Sequence, residues 1–248
     1  MKIEKIDALK GKYNIVIDGE SIITYEDVIL ENGLLYKKEI DKNTYNNILK
    51  STQFYDIYDK VVKLLLKSRK SEHQINDYLD KKNIPESDKM RIIEKLKSVK
   101  LIDDIAYAKA FINDKLLLNK WGINKIRLEL INQDIDINVI ENEISNVDES
   151  ILNSNMEKII IKKINSNHKY SNYQLKNKIL QDMINLGYRK ELVLEIINKN
   201  MMDDTKFVKK EYDRLYKRLV KKYSGKELEF KIKQGLIKKG FDVKKIEE

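Results

Sequence analysis

The chain has 248 residues, 42% hydrophobic and 36% charged, so it is long enough to bury a core and global disorder is not expected. It contains no cysteine, which excludes disulfides and thiolate metal sites and fits a reducing compartment. No apolar run approaches the roughly 20 residues of a membrane-spanning helix. We therefore expect a soluble, cytoplasmic protein without membrane contact.

The charge is concentrated near one end of the sequence. The formal net charge is +9, and residues 206–248 contain 15 basic and 7 acidic side chains, a net charge of +8. Positive charge concentrated in this way predicts a surface that binds a polyanion. The alternative is an ordinary helix face in contact with water.

The first 40 residues differ from the rest of the chain. Residues 12–18 and 21–25 are rich in β-formers and flank Asp18-Gly19, a pair that favours the tight turn of a β-hairpin. A short helix is predicted over residues 26–31 and a further strand over residues 36–40. Such a head is too small to be stable by itself and must pack on the segment that follows.

The remaining chain shows an internal repeat. Residues 170–179 are similar to residues 223–232, which lie 53 positions later, and residues 101–108 are similar to residues 201–208. One proline and eight glycines in the whole chain favour helices over sheets. The two spacings predict a helical unit of roughly 50 residues.

Helix-start signals support the same unit. Ser71, Ser171 and Ser224 each precede a Gln or Glu by three residues, the pattern of a capping box, in which the hydroxyl pairs with an amide of the first helical turn. Gly122 stands at the corresponding place in the second copy and is an acceptable N-cap. We predict that one helix of each unit begins at these four residues.

These observations predict a mainly α protein. The expected architecture is an elongated, curved array of tandem three-helix repeats with a small β-rich N-terminal head, which offers a long concave surface for binding. The predicted segments are a head over residues 1–43 and repeats over residues 44–102, 103–150, 151–202 and 203–248.

No pattern of catalytic residues is found. The two histidines, His73 and His168, have no metal-ligand spacing, and the pairs Asp103-Asp104 and Asp203-Asp204 are explained more simply as helix caps than as magnesium or acid–base sites. No glycine-rich phosphate loop is present. We expect no catalytic, cofactor or metal site, and therefore a binding protein that is not an enzyme.

Several of these motifs resemble the RecX family, bacterial regulators of the RecA recombinase. Arg69-Lys70-Ser71-Glu72 is similar to that family's basic-basic-Ser helix start, although Ser68 stands where the family tends to have arginine. Leu101-Ile102-Asp103-Asp104 with Phe111 is similar to its Leu-Leu-Asp-Asp motif, and Gly122 with Glu129 and Leu130 resembles the helix that comes next. Residues 13–20 resemble the amino-terminal extension of the longer members.

The resemblance implies a monomer that binds the RecA–DNA filament and modulates, in most members inhibits, its ATPase, strand exchange and SOS activity. It implies single-stranded DNA as a partner and leaves double-stranded DNA open. The alternative is a basic helical-repeat module that binds DNA without RecA. Candidate contact residues for RecA or DNA are the basic side chains near the helix starts and in the fourth repeat: Arg69, Lys70, Lys125, Arg127, Arg214, Lys217, Arg218, Lys221 and Lys222.

Overall fold

The computed structural model describes residues 1–167 and 170–243. Within them the chain forms three β-strands, twelve α-helices and one short 3-10 helix, which confirms a mainly α protein with a small sheet. The chain forms two compact units, one of Met1–Tyr107 and a second that begins at Ala108. No helix of the described residues is long and apolar enough to cross a lipid bilayer.

The head contains one antiparallel sheet in the order β1-β2-β3. Its strands are β1 (Ile3–Leu9), β2 (Lys12–Ile17) and β3 (Glu20–Thr24). Asp18 and Gly19 adopt φ values of 46° and 81°, the left-handed pair that a two-residue hairpin turn requires. The predicted hairpin is confirmed, whereas β1 was not predicted, because charged residues interrupt its apolar positions.

The strand predicted over residues 36–40 is wrong. A 3-10 helix, Leu34–Tyr36, occupies its start, and only an isolated bridge joins Lys2 to Glu39. The backbone amide of Ile40 donates to the carbonyl of Met1 at 2.8 Å, and that of Ile3 donates to the carbonyl of Lys38 at 2.9 Å, so a few bonds to the start of the chain hold this segment without a fourth strand. The short helix α1 (Glu26–Glu31) lies where the sequence predicts it.

The other helices follow in three sets of three and one pair. They are α2 (Lys42–Lys67), α3 (Glu72–Asp80), α4 (Glu86–Ser98), α5 (Asp104–Leu117), α6 (Ile123–Ile131), α7 (Ile137–Ser145), α8 (Glu149–Asn165), α9 (Asn172–Asn185), α10 (Lys190–Asn200), α11 (Thr205–Leu219) and α12 (Gly225–Lys238). The division into four repeats with the boundaries given above stays a prediction, and residues 244–248 of the last one lie outside the described residues.

The four predicted helix starts are confirmed, because Ser71, Gly122, Ser171 and Ser224 are the N-caps of α3, α6, α9 and α12. The hydroxyls of Ser71 and Ser171 accept from the third amide of their helices at 3.2 and 3.3 Å. Ser224 makes no such bond, which corrects the prediction there. Gly225 follows it with φ 55°, so the backbone departs from helical geometry directly after the cap.

The head shares its core with the helices that follow. Ile15, Ile17 and Val28 of the head belong to one buried cluster with residues of α2 and α3, among them Ile48 and Ile75. In the second unit, α8–α10 form one buried cluster and α11 with α12 form another. The head is therefore an integral part of the first unit.

Candidate functional site

The paired aspartates hold helix ends. The Asp103 carboxylate accepts from the Ala106 amide at 2.9 Å and so caps α5. The second aspartate of each pair instead reaches a neighbouring helix: Asp104 accepts from the first amide of α3 at 3.1 Å, and Asp204 from the first amide of α9 at 2.8 Å. A carboxylate at a helix amino end is favoured by the helix dipole. These contacts explain the Asp-Asp pattern structurally.

The two histidines are the remaining candidates for catalysis or metal binding. The Nε2 atom of His73 lies 3.7 Å from the carboxylate of Asp77, one turn later on α3, while His168 lies outside the described residues. Within residues 1–167 and 170–243, no group of three or more His, Asp or Glu side chains is placed to hold a metal ion.

The basic side chains of the fourth predicted repeat are exposed together. Arg214, Lys217 and Arg218 lie on α11 and are all exposed. Arg214 also lies 3.4 Å from Glu211, so part of its charge is balanced within the protein. We call Arg214, Lys217, Arg218, Lys221 and Lys222 the basic surface.

Two members of the basic surface lie beyond the end of α11. The helix ends at Leu219, so Lys221 and Lys222 lie in the turn that follows. Arg214 and Arg218 are four residues apart within α11, where such a like-charged pair is slightly unfavourable. The two lysines remain exposed, and the turn presents them beside the end of α11.

Two candidate contact residues directly precede the start of α3, and one of them already makes a hydrogen bond within the protein. Arg69 follows α2 and its Nη1 donates to the carbonyl of Ala106 at 2.9 Å, so it links this loop to the first turn of α5. Lys70 directly precedes the cap Ser71 and is half-buried. Among the contacts of residues 1–167 and 170–243, the ammonium of Lys70 makes no hydrogen bond or ion pair that binding of a partner would break.

Lys125 belongs to an aromatic and basic cluster. Its ammonium lies 4.2 Å from the ring centre of Trp121, and that of Lys115 lies 4.8 Å from the same ring. The Phe111 ring meets Trp121 edge-on at 6.4 Å. The sequence gave no binding role to Trp121 or Lys115, because a lysine 6 positions before a tryptophan matches no local motif.

Arg127 lines a cleft in the second unit. The cleft has a volume of about 860 Å³ and is bordered by residues of α6, α7, α8 and α10. Two basic side chains, Arg127 and Arg189, lie along it together with apolar residues such as Met156 and Leu192. Arg127 makes a two-point ion pair with Glu141, at 3.0 Å between Nη2 and Oε2, and this hydrogen bonding lowers the pKa of Glu141. The sequence did not indicate Arg189.

Two glycines position this cleft. The amide of Gly122 donates to the carbonyl of Leu186 at 2.7 Å, and that of Asn124 donates to Gly187 at 3.1 Å. The Tyr188 hydroxyl donates to the carbonyl of Lys120 at 2.9 Å, and burial raises the pKa of Tyr188 to about 12. The start of α6 is thereby bonded to the turn after α9.

A similar junction joins the next pair of helices. The hydroxyl of Ser171, the cap of α9, donates to the carbonyl of Lys239 in the turn after α12 at 2.8 Å. Gly240 follows that carbonyl with φ 74° and packs closely against Ser171 and Tyr173. The same arrangement, a helix start on the glycine turn of the next helix pair, therefore occurs twice in the second unit.

Comparison with known proteins gives one consistent result. A protein of Streptococcus equi subsp. equi (strain 4047) named Regulatory protein RecX is 29% identical over 249 residues, which cover 98% of this chain and 95% of that protein. A protein of the same name from Bacillus cereus (strain 03BB102) is 28% identical over 256 residues, covering 99% and 94%. No family model matches the chain.

Solved structures agree at the level of the fold. A crystal structure of regulatory protein RecX superposes with a TM-score of 0.68 at 24% identity, covering 80% of this chain and 98% of the other. The crystal structure of RecX from Lactobacillus salivarius superposes with a TM-score of 0.52 at 23% identity, covering 59% and 95%. Both comparisons identify the same helical fold.

Proposed function

The chain belongs to the RecX family, and from this premise we propose that it binds the RecA–DNA nucleoprotein filament and inhibits its ATPase, strand exchange and SOS activity. The observation that carries the proposal is similarity along nearly the whole chain to proteins named as RecX regulators. We propose further that the protein acts in the cytoplasm as a monomer and has no catalytic activity of its own.

The charge distribution supports a filament as the partner. A RecA–DNA filament presents phosphates and protein surface together, and the basic surface supplies exposed cations. Neutralising an anion with Lys or Arg releases counterions and favours association at moderate salt. Lys217, Arg218, Lys221 and Lys222 are the proposed contacts, with Arg214, Lys70 and Lys125 as weaker contributors.

The inhibitory effect follows from selective binding. A protein shifts the equilibrium between active and inactive filaments only by the difference in its affinity for the two states. Helical units in tandem allow one chain to contact neighbouring RecA protomers, so that it competes with incoming DNA or disturbs protomer packing. Arg69 already donates to the carbonyl of Ala106, and Arg127 pairs with the carboxylate of Glu141. We propose that these two arginines contact the filament only when the filament displaces those partners.

The test is a RecA ATPase and strand-exchange assay on single-stranded DNA with this protein added below the RecA concentration. We expect both activities to fall. A variant with Lys217→Gln, Arg218→Gln, Lys221→Gln and Lys222→Gln is expected to inhibit about tenfold less well, because four exposed contacts of about 0.4 kcal/mol each combine to about 1.6 kcal/mol.

A matched control tests whether the position of the removed charges matters, and not only their number. Lys10, Lys37, Lys38 and Lys81 are also exposed, and replacing all four by Gln removes the same charge from the first unit. This control is expected to inhibit like the parent protein. Unchanged RecA activities with the parent protein would refute the proposal. Equal losses of inhibition in both variants would show that the contacts are not specific to the basic surface.

A second candidate function is DNA binding without RecA, which the net charge of +9 favours. In that case the protein binds single-stranded DNA as tightly in the absence of RecA as in its presence. A filament regulator requires RecA for tight association, so fluorescence anisotropy of labelled DNA with and without RecA distinguishes the two functions.

A further inference from the structure

The first helices of three successive sets can be compared position by position. Asp148 and Asp204 are the N-caps of α8 and α11, so residues at the same distance from them occupy equivalent places on these two helices. On α5 the residue that matches Asp204 in the 100-residue repeat is Asp104, the first residue of the helix. The positions eight and twelve residues later lie one turn apart on one side of each helix.

These equivalent positions differ in burial. On α5 they are Ile112 and Leu116, with exposed fractions of 2% and 4%, and on α8 they are Met156 and Ile160, with 2% and 0%. On α11 they are Tyr212, which is half-buried, and Tyr216, which is 44% exposed. One turn further, Ile164 of α8 is 6% exposed, whereas Val220 after α11 is 43% exposed.

A third helix accounts for the burial on α8. Val193 and Ile197 of α10 belong to the same buried cluster as Met156, Ile160 and Ile164. Within the residues that the structure describes, Val243 packs against the cluster of α11 and α12, and no α-helix follows α12. On α11, Tyr216 and Val220 are exposed at positions that are buried on α8. We call Tyr212, Tyr216 and Val220 the open seat.

The open seat presents apolar side chains at helical spacing, with Tyr212 packed against the core of α11 and α12 and Tyr216 and Val220 exposed. The rings of Tyr212 and Tyr216 are stacked, 14° from parallel with centres 6.4 Å apart, and Val220 continues the same side for one more turn. Amphipathic helices bind such surfaces with apolar residues at intervals of three and four. The equivalent side of α8 is covered by the amphipathic helix α10.

Charge decides which helix fits. Residues 205–243 contain 13 Lys and Arg against 5 Asp and Glu, and Lys209 and Lys217 flank Tyr216 along α11. A second copy of the chain would bring two such positive segments together, which is unfavourable. A helix with an acidic polar face would meet complementary charge.

We propose that the open seat binds an amphipathic, acidic helix of a partner protein, which takes the place that α10 takes on α8. The apolar face of that helix covers Tyr216 and Val220, and its carboxylates pair with the lysines of α11. The proposal does not depend on RecA being the partner.

The experiment uses the full-length protein and a labelled peptide with the sequence of residues 189–200, which contains α10. In the acidic version Arg189, Lys190 and Lys199 are replaced by Glu, and in the basic version Glu191 and Glu195 are replaced by Lys. Fluorescence anisotropy measures binding of each. We expect the acidic peptide to bind at least about tenfold more tightly.

The variant Tyr216→Ser tests the apolar contact without changing charge. It is expected to weaken the acidic peptide about tenfold, as loss of a central aromatic contact does. Its matched control is Tyr36→Ser in the head, where the tyrosine is 93% exposed, and this variant is expected to bind like the parent. Circular dichroism confirms that each variant is folded.

Three results would overturn the proposal. They are equal binding of both peptides, no effect of Tyr216→Ser on the acidic peptide, and no binding of the acidic peptide up to about 1 mM. Sedimentation of the protein alone provides a further decision, because a dimer that Tyr216→Ser abolishes would identify a second copy as the occupant.

Discussion

Single residues decide how closely the helices of the second unit approach one another. A Cβ on Gly122 would lie 2.4 Å from the backbone of Gly187, and a Cβ on Gly187 would lie 2.4 Å from the amide nitrogen of Lys125. Neither distance is possible without movement of backbone. The glycine that replaces serine at the start of α6 is therefore required by the neighbouring turn.

We predict that Gly187→Ala lowers the free energy of unfolding by about 3 kcal/mol, from the left-handed φ of 90° and from overpacking. Gly225 also has a positive φ, 55°, but no atom lies within 4 Å of its added Cβ. Gly225→Ala is therefore expected to cost only about 1 kcal/mol. Urea unfolding followed by Trp121 fluorescence measures both, and equal losses would contradict the close packing at Gly187.

The ion pair between Arg127 and Glu141 limits what Arg127 can bind. We predict that Glu141→Gln strengthens binding to single-stranded DNA by up to about fivefold, the equivalent of one exposed ion pair, because it frees the guanidinium. Glu143→Gln on the same helix removes the same charge without touching Arg127 and serves as the control. Equal effects of the two variants in a DNA titration would show that Arg127 is not a contact.

At the scale of the elements, helix starts are the points at which successive helix sets are joined. The starts of α3 and α9 each receive a carboxylate from the next first helix, and the starts of α6 and α9 each contact the glycine turn of the next pair. The backbone amides that are unpaired at a helix start thus form hydrogen bonds to the next set of helices.

Burial raises the pKa of the Asp104 carboxyl despite its bond from the Glu72 amide. The folded chain therefore holds this proton more tightly than the unfolded chain, and the group stabilises the fold below its ordinary pKa of 3.8 and loses that contribution as the pH rises through the raised pKa. We predict that Asp104→Asn, which keeps an acceptor for the amide, is at least as stable as the parent at pH 7.

The comparison variant is Asp104→Ala, which leaves the Glu72 amide without this partner and is expected to cost about 1–3 kcal/mol. Urea unfolding at about pH 4 and pH 7 measures both variants. A loss of stability in Asp104→Asn at pH 7 as large as that in Asp104→Ala would mean that the charge, and not the hydrogen bond, holds the start of α3.

For the whole molecule, the dominant feature is the concentration of charge, since nearly all of the excess lies after residue 205. If the basic surface contacts phosphates, each contact makes the negative slope of log affinity against log salt steeper by about 0.7 for single-stranded DNA. We predict that the fourfold Gln variant at Lys217, Arg218, Lys221 and Lys222 makes this slope shallower by up to about 3. The matched control with Gln at Lys10, Lys37, Lys38 and Lys81 is expected to leave the salt slope unchanged. A shallower slope in this control, with no change in the variant of the basic surface, would mean that DNA binds the first unit.

Features that depend on neighbours along the chain were predictable from the amino-acid sequence. Capping residues and apolar spacing located the starts of α3, α6, α9 and α12, and Asp18-Gly19 located the hairpin, because these signals act within a few residues. What depends on distant residues is set only by the tertiary structure: the Gly122–Gly187 contact, the Arg127–Glu141 pair and the exposure of Tyr216. The physical reason is that packing and ion pairing are set by groups brought together from far apart in the chain, which no local pattern records.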